Sequence, residues 1–246
     1  MEITLNEWVK YRDLLAKLSQ TAADEFRDAI WSENGRWHGV GLGNIPRNEV
    51  IEYAYALVTK YGEGTASLAA DMYDAMALLS NANVPEAVVA ETATIGEVGK
   101  AVNGAIKVSE DAEYVSAVVG RLVKQAGQDT TVQNALRDGA QFAWIPAGKT
   151  CAYCLTLASR GWQNASRQAV KNGHAEHIHA NCDCAYMIRF NENTEVEGYN
   201  PDEYLSMYQH ADGSTPRDKI NSMRRMAYAE DKETEGTDNS ELIEVN

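Results

Sequence analysis

All four cysteines of this chain and three of its five histidines fall between Cys151 and Cys184, whereas the residues before Cys151 hold only His38 from that set. Written out, the segment is Cys151-x-x-Cys154, twenty-two residues, then His177-x-His179-x-x-Cys182-x-Cys184. Two donors separated by two residues can grip one tetrahedral ion from a single turn, and a close pair from a distant stretch completes four-coordination while closing a loop. Thiolate and imidazole donors suit Zn²⁺. If Cys182 and Cys184 lie in extended chain their side chains point to opposite faces, so one of them reaches the ion. The preferred set is Cys151, Cys154, His179 and Cys182, with Cys184 as the substitute and His177 the weaker histidine. A structural zinc contributes about 10 to 16 kcal/mol of apparent binding energy, enough to hold a module that lacks a large core. Disulfides fit less well, because cysteines two apart in a strand cannot bridge each other and only long cross-links remain.

Ahead of this segment the apolar residues recur at helical steps. Leu5, Trp8, Tyr11, Leu15, Leu18, Ala22, Phe26 and Ala29 or Ile30 predict one long helix over the first 31 residues, opened by a Thr4–Glu7 capping box. Five glycines and prolines between 32 and 47 predict a long loop. A second helical stretch runs from about Asn48 to Ser80, with Gly62 and Gly64 placed to split or bend it. Asn81 or Asn83 before Pro85 and Glu86 predicts a further helix start, and Ser109 with Glu110 and Asp111 predicts another, which Gly127 would end. After Gly139 the run Gln141 to Ile145 reads as a short strand stopped by Pro146, and Tyr186 to Phe190 as a second, with the cysteine-rich segment between them. Asn200-Pro201 and Thr215-Pro216 each begin a short helix. The expected fold is mainly α: a helical scaffold over residues 1–140, a small α+β zinc-knuckle module over 141–228, and an acidic disordered tail over 229–246.

Thirty-six acids against twenty-two bases give a net charge of −14, so the average field repels nucleic acid and leaves room only for local DNA contacts. The stretch from Ala229 to Asn246 supplies −6 of this, seven acids against Lys232. With 44% apolar residues the chain can bury a core, which excludes a disordered or collagen-like chain. No run approaches the ~18 to 20 apolar residues of a spanning helix, and Met1-Glu2-Ile3 does not open a secretory leader, so a soluble protein without a membrane partner is expected.

Catalytic motifs are approached and missed. His174-Ala175-Glu176 has the His-x-Glu form of zinc deaminases, but there the Cys-x-x-Cys follows it, and here it precedes it. Neither metalloprotease spacing is present. Gly39-Val40-Gly41-Leu42-Gly43 lacks the strand and Lys-Ser/Thr of a phosphate loop, so it reads as an irregular connection, with Trp37 beside His38 in a packing role. No enzymatic role is expected; the alternative is a maturation protease or zinc-dependent hydrolase with Glu176 as general base.

The run from Ile145 through Cys151-Ala152-Tyr153-Cys154 to Gly161, followed by His179-Ala180-Asn181-Cys182-Asp183-Cys184, resembles the phage Mu F-like minor head proteins. The close match covers about residues 141 to 190. The resemblance implies a minor structural protein of the phage or prophage head, made in the host cytoplasm and carried in the virion. It further implies action near the portal alongside capsid and scaffold proteins, and allows export with the DNA. The family motif falls on Cys151, Cys154, His179, Cys182 and Cys184. Asp183 stands where many members carry arginine, which removes a basic residue from that turn.

Overall fold

In the computed structural model the described residues are 5–146, 150–166, 185–194 and 199–226, with side chains from Lys10 onward. Four long helices come first: α1 (Leu5–Trp31), α2 (Arg47–Leu79), α3 (Ile95–Val108) and α4 (Ala112–Asp138). The stripe predicted for α1 is buried at Tyr11, Leu15, Ala22, Phe26, Ala29 and Ile30. The glycine-rich loop after it folds back on the helix. The Trp37 amide donates to the Ala29 carbonyl at 2.7 Å, and the indole packs edge-on against Tyr53 at 5.3 Å. One buried cluster joins this loop to the N-terminal halves of α2 and α4 and to α3, through Phe26, Trp37, Val50, Val58, Val98, Val102, Val115 and Val123.

Neither Gly62 nor Gly64 interrupts α2, and α4 runs straight past Gly127 to end at Gly139, which adopts φ +67°. The glycines mark close approaches instead. A Cβ on Gly127 would stand 3.0 Å from the Thr65 carbonyl oxygen, and one on Gly120 would stand 2.9 Å from that of Ser19. The Thr65 hydroxyl crosses the same contact to donate to the Val123 carbonyl at 2.7 Å. Seven residues apart on α4, the two glycines share a face and let α1 and α2 sit against its backbone. Packing outweighs the ~1 kcal/mol that glycine costs inside a helix.

The helix expected at Pro85 is also corrected. Residues 82–94 run extended, and α3 starts only at Ile95. Thr94 there forms a two-sided capping box with Glu97, the threonine amide donating to the carboxylate at 2.8 Å. Upstream of it no residue of the segment is buried, so a helix at Pro85 would have no apolar face to dock.

Beyond Gly139 the chain forms β1 (Gln141–Ile145), α5 (Ala152–Ala158), β2 (Gln163–Asn164), β3 (Ala185–Arg189), α6 (Pro201–His210) and a last helix, α7, over 216–226. The strands make one antiparallel sheet in the order β2-β1-β3. β1 matches its expected position and β3 lies one residue earlier than expected, while the two-residue β2 was unmarked by any apolar alternation. The sheet packs on the helices through a second buried cluster, in which Tyr11, Leu15, Tyr73, Met76 and Val132 meet Phe142, Trp144, Tyr186 and Met187. A third, smaller cluster sets α5 against the C-terminal helices through Ala152, Ala211 and Met223. No described helix is long and apolar enough to cross a membrane.

Candidate metal centre

Pro146 follows β1, and Thr150 leads into α5. Cys151 is the N-cap of that helix, in extended geometry at φ −67° and ψ 151°. Its Sγ accepts the Cys154 amide at 3.5 Å, the place that a serine or aspartate oxygen takes in an ordinary N-cap. Cys154 is buried and Cys151 half-buried. Residues three apart at the start of a helix lie roughly 5 to 6 Å apart, so both sulfurs can reach one ion at Zn–S distances of about 2.3 Å.

The far end of α5 is fixed by other means. Gly161 takes φ +64°, the Tyr199 hydroxyl donates to the Ala158 carbonyl at 2.8 Å, and burial pushes that phenol's pKa up. Tyr199 also packs edge-on against Trp162 at 6.2 Å, and the Arg189 guanidinium lies 4.6 Å over the same indole. Arg189 is the last residue of β3 and donates to the Gln141 side chain in β1 at 2.7 Å. The Cys-x-x-Cys helix is thus tied to both long strands.

Register supplies the other constraint. Ala185 pairs with Ile145 and Tyr186 with Trp144, whose rings meet at 4.5 Å. Ala185 is covalently joined to Cys184, and Ile145 is six residues before Cys151. The chain leaving β1 toward the first cysteine pair and the chain entering β3 from the second therefore meet the sheet at the same end.

His174, Glu176, His177, His179, Cys182 and Cys184 lie outside the described residues, as does the acidic stretch 229–246. Among the described residues, no group of three or more His, Cys, Asp or Glu side chains could hold a metal ion. Cys151 and Cys154 fit the zinc half-site by chemistry and spacing: two sulfurs from one turn, the first accepting the amide of the second.

The glycine loop carries none of the features of a phosphate cradle. It borders an open depression of about 460 Å³ whose other wall holds Glu110 and Asp111. The Glu110 carboxylate lies 2.5 Å from where a Cβ on Gly43 would stand, so acids occupy the place where a phosphate would need donors.

Fold and site together define a helical protein closed by a small antiparallel sheet, with a cysteine-capped helix between its strands. The chain belongs to the VG15 protein family, a family of phage proteins, whose model matches residues 2–211. That match takes in α1 to α6 and the sheet, and ends before α7. No curated protein and no solved structure matches the chain.

The sequence reading missed a set of polar side chains on α4. Thr130 and Asn134 are both fully buried and hold the extended segment 82–94 by its backbone. Their signal was present, since two polar residues one turn apart on the buried side of an amphipathic helix call for partners.

Proposed function

We propose that this phage protein is a minor structural component of the head, similar to the Mu F-like minor head proteins, acting near the portal with capsid and scaffold proteins. In this reading Cys151, Cys154, His179 and Cys182, with Cys184 as the substitute for Cys182, hold one structural zinc. The metal closes the segment between β1 and β3 onto the sheet and so fixes the C-terminal module for assembly. Its chemistry is that of a Lewis acid with all positions filled by protein, which holds chain segments together.

The observation that carries the reading is the convergence at one end of the sheet. Cys151 caps α5 just beyond β1, and the residue following Cys184 is paired with the last residue of β1. Membership of a phage family and the His-x-x-Cys-x-Cys spacing support it. The test has two arms. Elemental analysis of the purified full chain should find one zinc per chain, falling to near zero in Cys151→Ser. Purified heads probed with an antibody to the chain should contain it; its absence from heads that are otherwise complete overturns the structural role.

A further inference from the structure

Residues 82–94 return along α2 from its C-terminal end to Thr94, lying between α2 and α4. The hydrogen bonds that α2 and α4 make to them go to main-chain atoms. Asp74 accepts the Ala87 amide at 2.8 Å. Asn134 accepts the Val88 amide at 2.9 Å and donates to the Val88 carbonyl at 2.8 Å, so one carboxamide reads both polar groups of one residue. Gln133 donates to the same carbonyl at 2.6 Å, and Thr130 accepts the Ala90 amide at 3.0 Å. Arg137 donates to the carbonyls of Pro85 at 2.9 Å and Glu86 at 3.1 Å. Farther along, Thr92 lies over Gly62, where a Cβ would come within 2.9 Å of its methyl carbon.

The segment contributes little of its own. None of its residues is buried, and Val88 and Val89 are 59% and 46% exposed. The helix side is the reverse: Thr130 and Asn134 are 0% exposed, covered in part by this backbone. The segment's apolar contacts with the cores are small, made by Ala87 and Ala93, so its stability is local and rests mainly on side-chain hydrogen bonds near the surface. Lifting the segment leaves the Thr130 hydroxyl and the Asn134 amide group with only their bonds inside α4, to the Ala126 and Thr130 carbonyls at 2.9 and 2.7 Å, and leaves the Asn134 carboxamide oxygen without the backbone amide it accepts.

We propose that residues 82–94 form a strap that opens as a unit while the helices stay folded, and that the groove between α2 and α4 is a binding site for the main chain of an extended polypeptide. The strap is its built-in occupant. Because the groove reads backbone amides and carbonyls, it accepts an extended segment with little regard to side chains, as strand-addition sites do.

Amide hydrogen exchange on the full chain tests this, alone and with a synthetic peptide of residues 82–94 at millimolar concentration. The Ala87, Val88 and Ala90 amides should exchange together, on the order of 100-fold faster than the Val58 and Val123 amides in the core of the helices. Free peptide should raise the strap's open population by a factor of 1 + [peptide]/Kd, hence at least about twofold when its concentration reaches Kd. A peptide N-methylated at Val88 and Ala90 should have no effect, whereas one with shuffled side chains should act like the original. Asn134→Ala should speed strap exchange by about 30-fold, the loss of both neutral hydrogen bonds to Val88. Strap amides that exchange only with global unfolding overturn the opening. A strap indifferent to saturating peptide overturns the groove, and neither result depends on a variant folding.

Discussion

Replacing Cys154 by alanine separates two roles that a buried thiol can have. As a core side chain it loses one sulfur from a packed cluster, worth about 1 kcal/mol by transfer and cavity terms together. As a zinc ligand it also releases the chain closed between Cys154 and His179. A zinc held by the folded chain alone contributes its apparent binding energy to stability, about 10 to 16 kcal/mol for a complete structural site, so losing it costs several kcal/mol at the least. The two readings thus differ by several-fold in a quantity that urea denaturation measures directly, at constant m-value. Metal content supplies the second axis. Cys154→Ala should lose its zinc and about 3 kcal/mol or more, and a strong chelator should impose a comparable loss on the unaltered chain but none on the variant. A loss near 1 kcal/mol with metal content unchanged, or a chelator effect equal in both proteins, would refute the ligand assignment and leave Cys154 as a packing residue beside Leu157 and Ala158.

Other substitutions test the frame that carries the site. Gly104 has nothing within 4 Å of where a Cβ would stand, so Gly104→Ala in α3 should stabilise the chain by about 0.5 to 1 kcal/mol, whereas Gly120→Ala, 2.9 Å from the Ser19 carbonyl, should destabilise it; thermal melts of the pair decide. Thr94→Ala removes the hydroxyl half of the capping box, leaving the backbone amide of residue 94 to donate to Glu97, and should cost about 1 kcal/mol, read as a lower denaturation midpoint. Asp138 accepts hydrogen bonds from Arg137 at 2.7 Å and from the Tyr73 hydroxyl at 2.8 Å, and the Arg137 hydrogen bond holds its carboxyl below the usual range. A carboxyl depressed in the folded state contributes stability that is complete above its unfolded value and fades as pH falls through the folded one. Denaturation midpoints should therefore drop on acidification below about pH 4, and Asp138→Asn should flatten that slope; an unchanged slope in the variant argues against the assignment.

The helices were legible because their stripes are long: α1 and α2 repeat their apolar residues over many turns, and Asn200 caps its helix where the sequence puts it, while the start expected at Ser109 falls two residues later, on Asp111. The errors share one cause. Gly62, Gly64 and Gly127 look like breakers when only the local backbone is weighed, and Pro85 with Glu86 looks like a helix start. What reverses each is a neighbour far away in sequence: Thr92 over Gly62, Thr65 beside Gly127, Asn134 beneath Val88. Local propensity is a difference of about 1 kcal/mol per residue, and one close helix–helix approach or a bidentate side chain is enough to override it.

The site divides along the same line. What the sequence offers for the proposed site is donor type and spacing, because coordination chemistry is local at each end: two residues between Cys151 and Cys154 place two sulfurs within one turn. The sequence did not show where the two stretches join the fold. β1 and β3, whose antiparallel register sets Ile145 opposite Ala185, turn a separation of 40 residues into neighbouring chain ends. It also could not foresee Cys151 as a helix cap, because sulfur is a poor cap and oxygen residues are the usual signal. A cap made of sulfur gives the helix less than a serine would. Cys151→Ser should accordingly leave α5 capped, or better capped, while removing a soft donor from the ion. Loss of stability in that variant then reports the metal alone, since the hydrogen bond to the Cys154 amide survives the exchange of sulfur for oxygen. Stability equal to or above that of the unaltered chain would mean that Cys151 serves the helix and no ion.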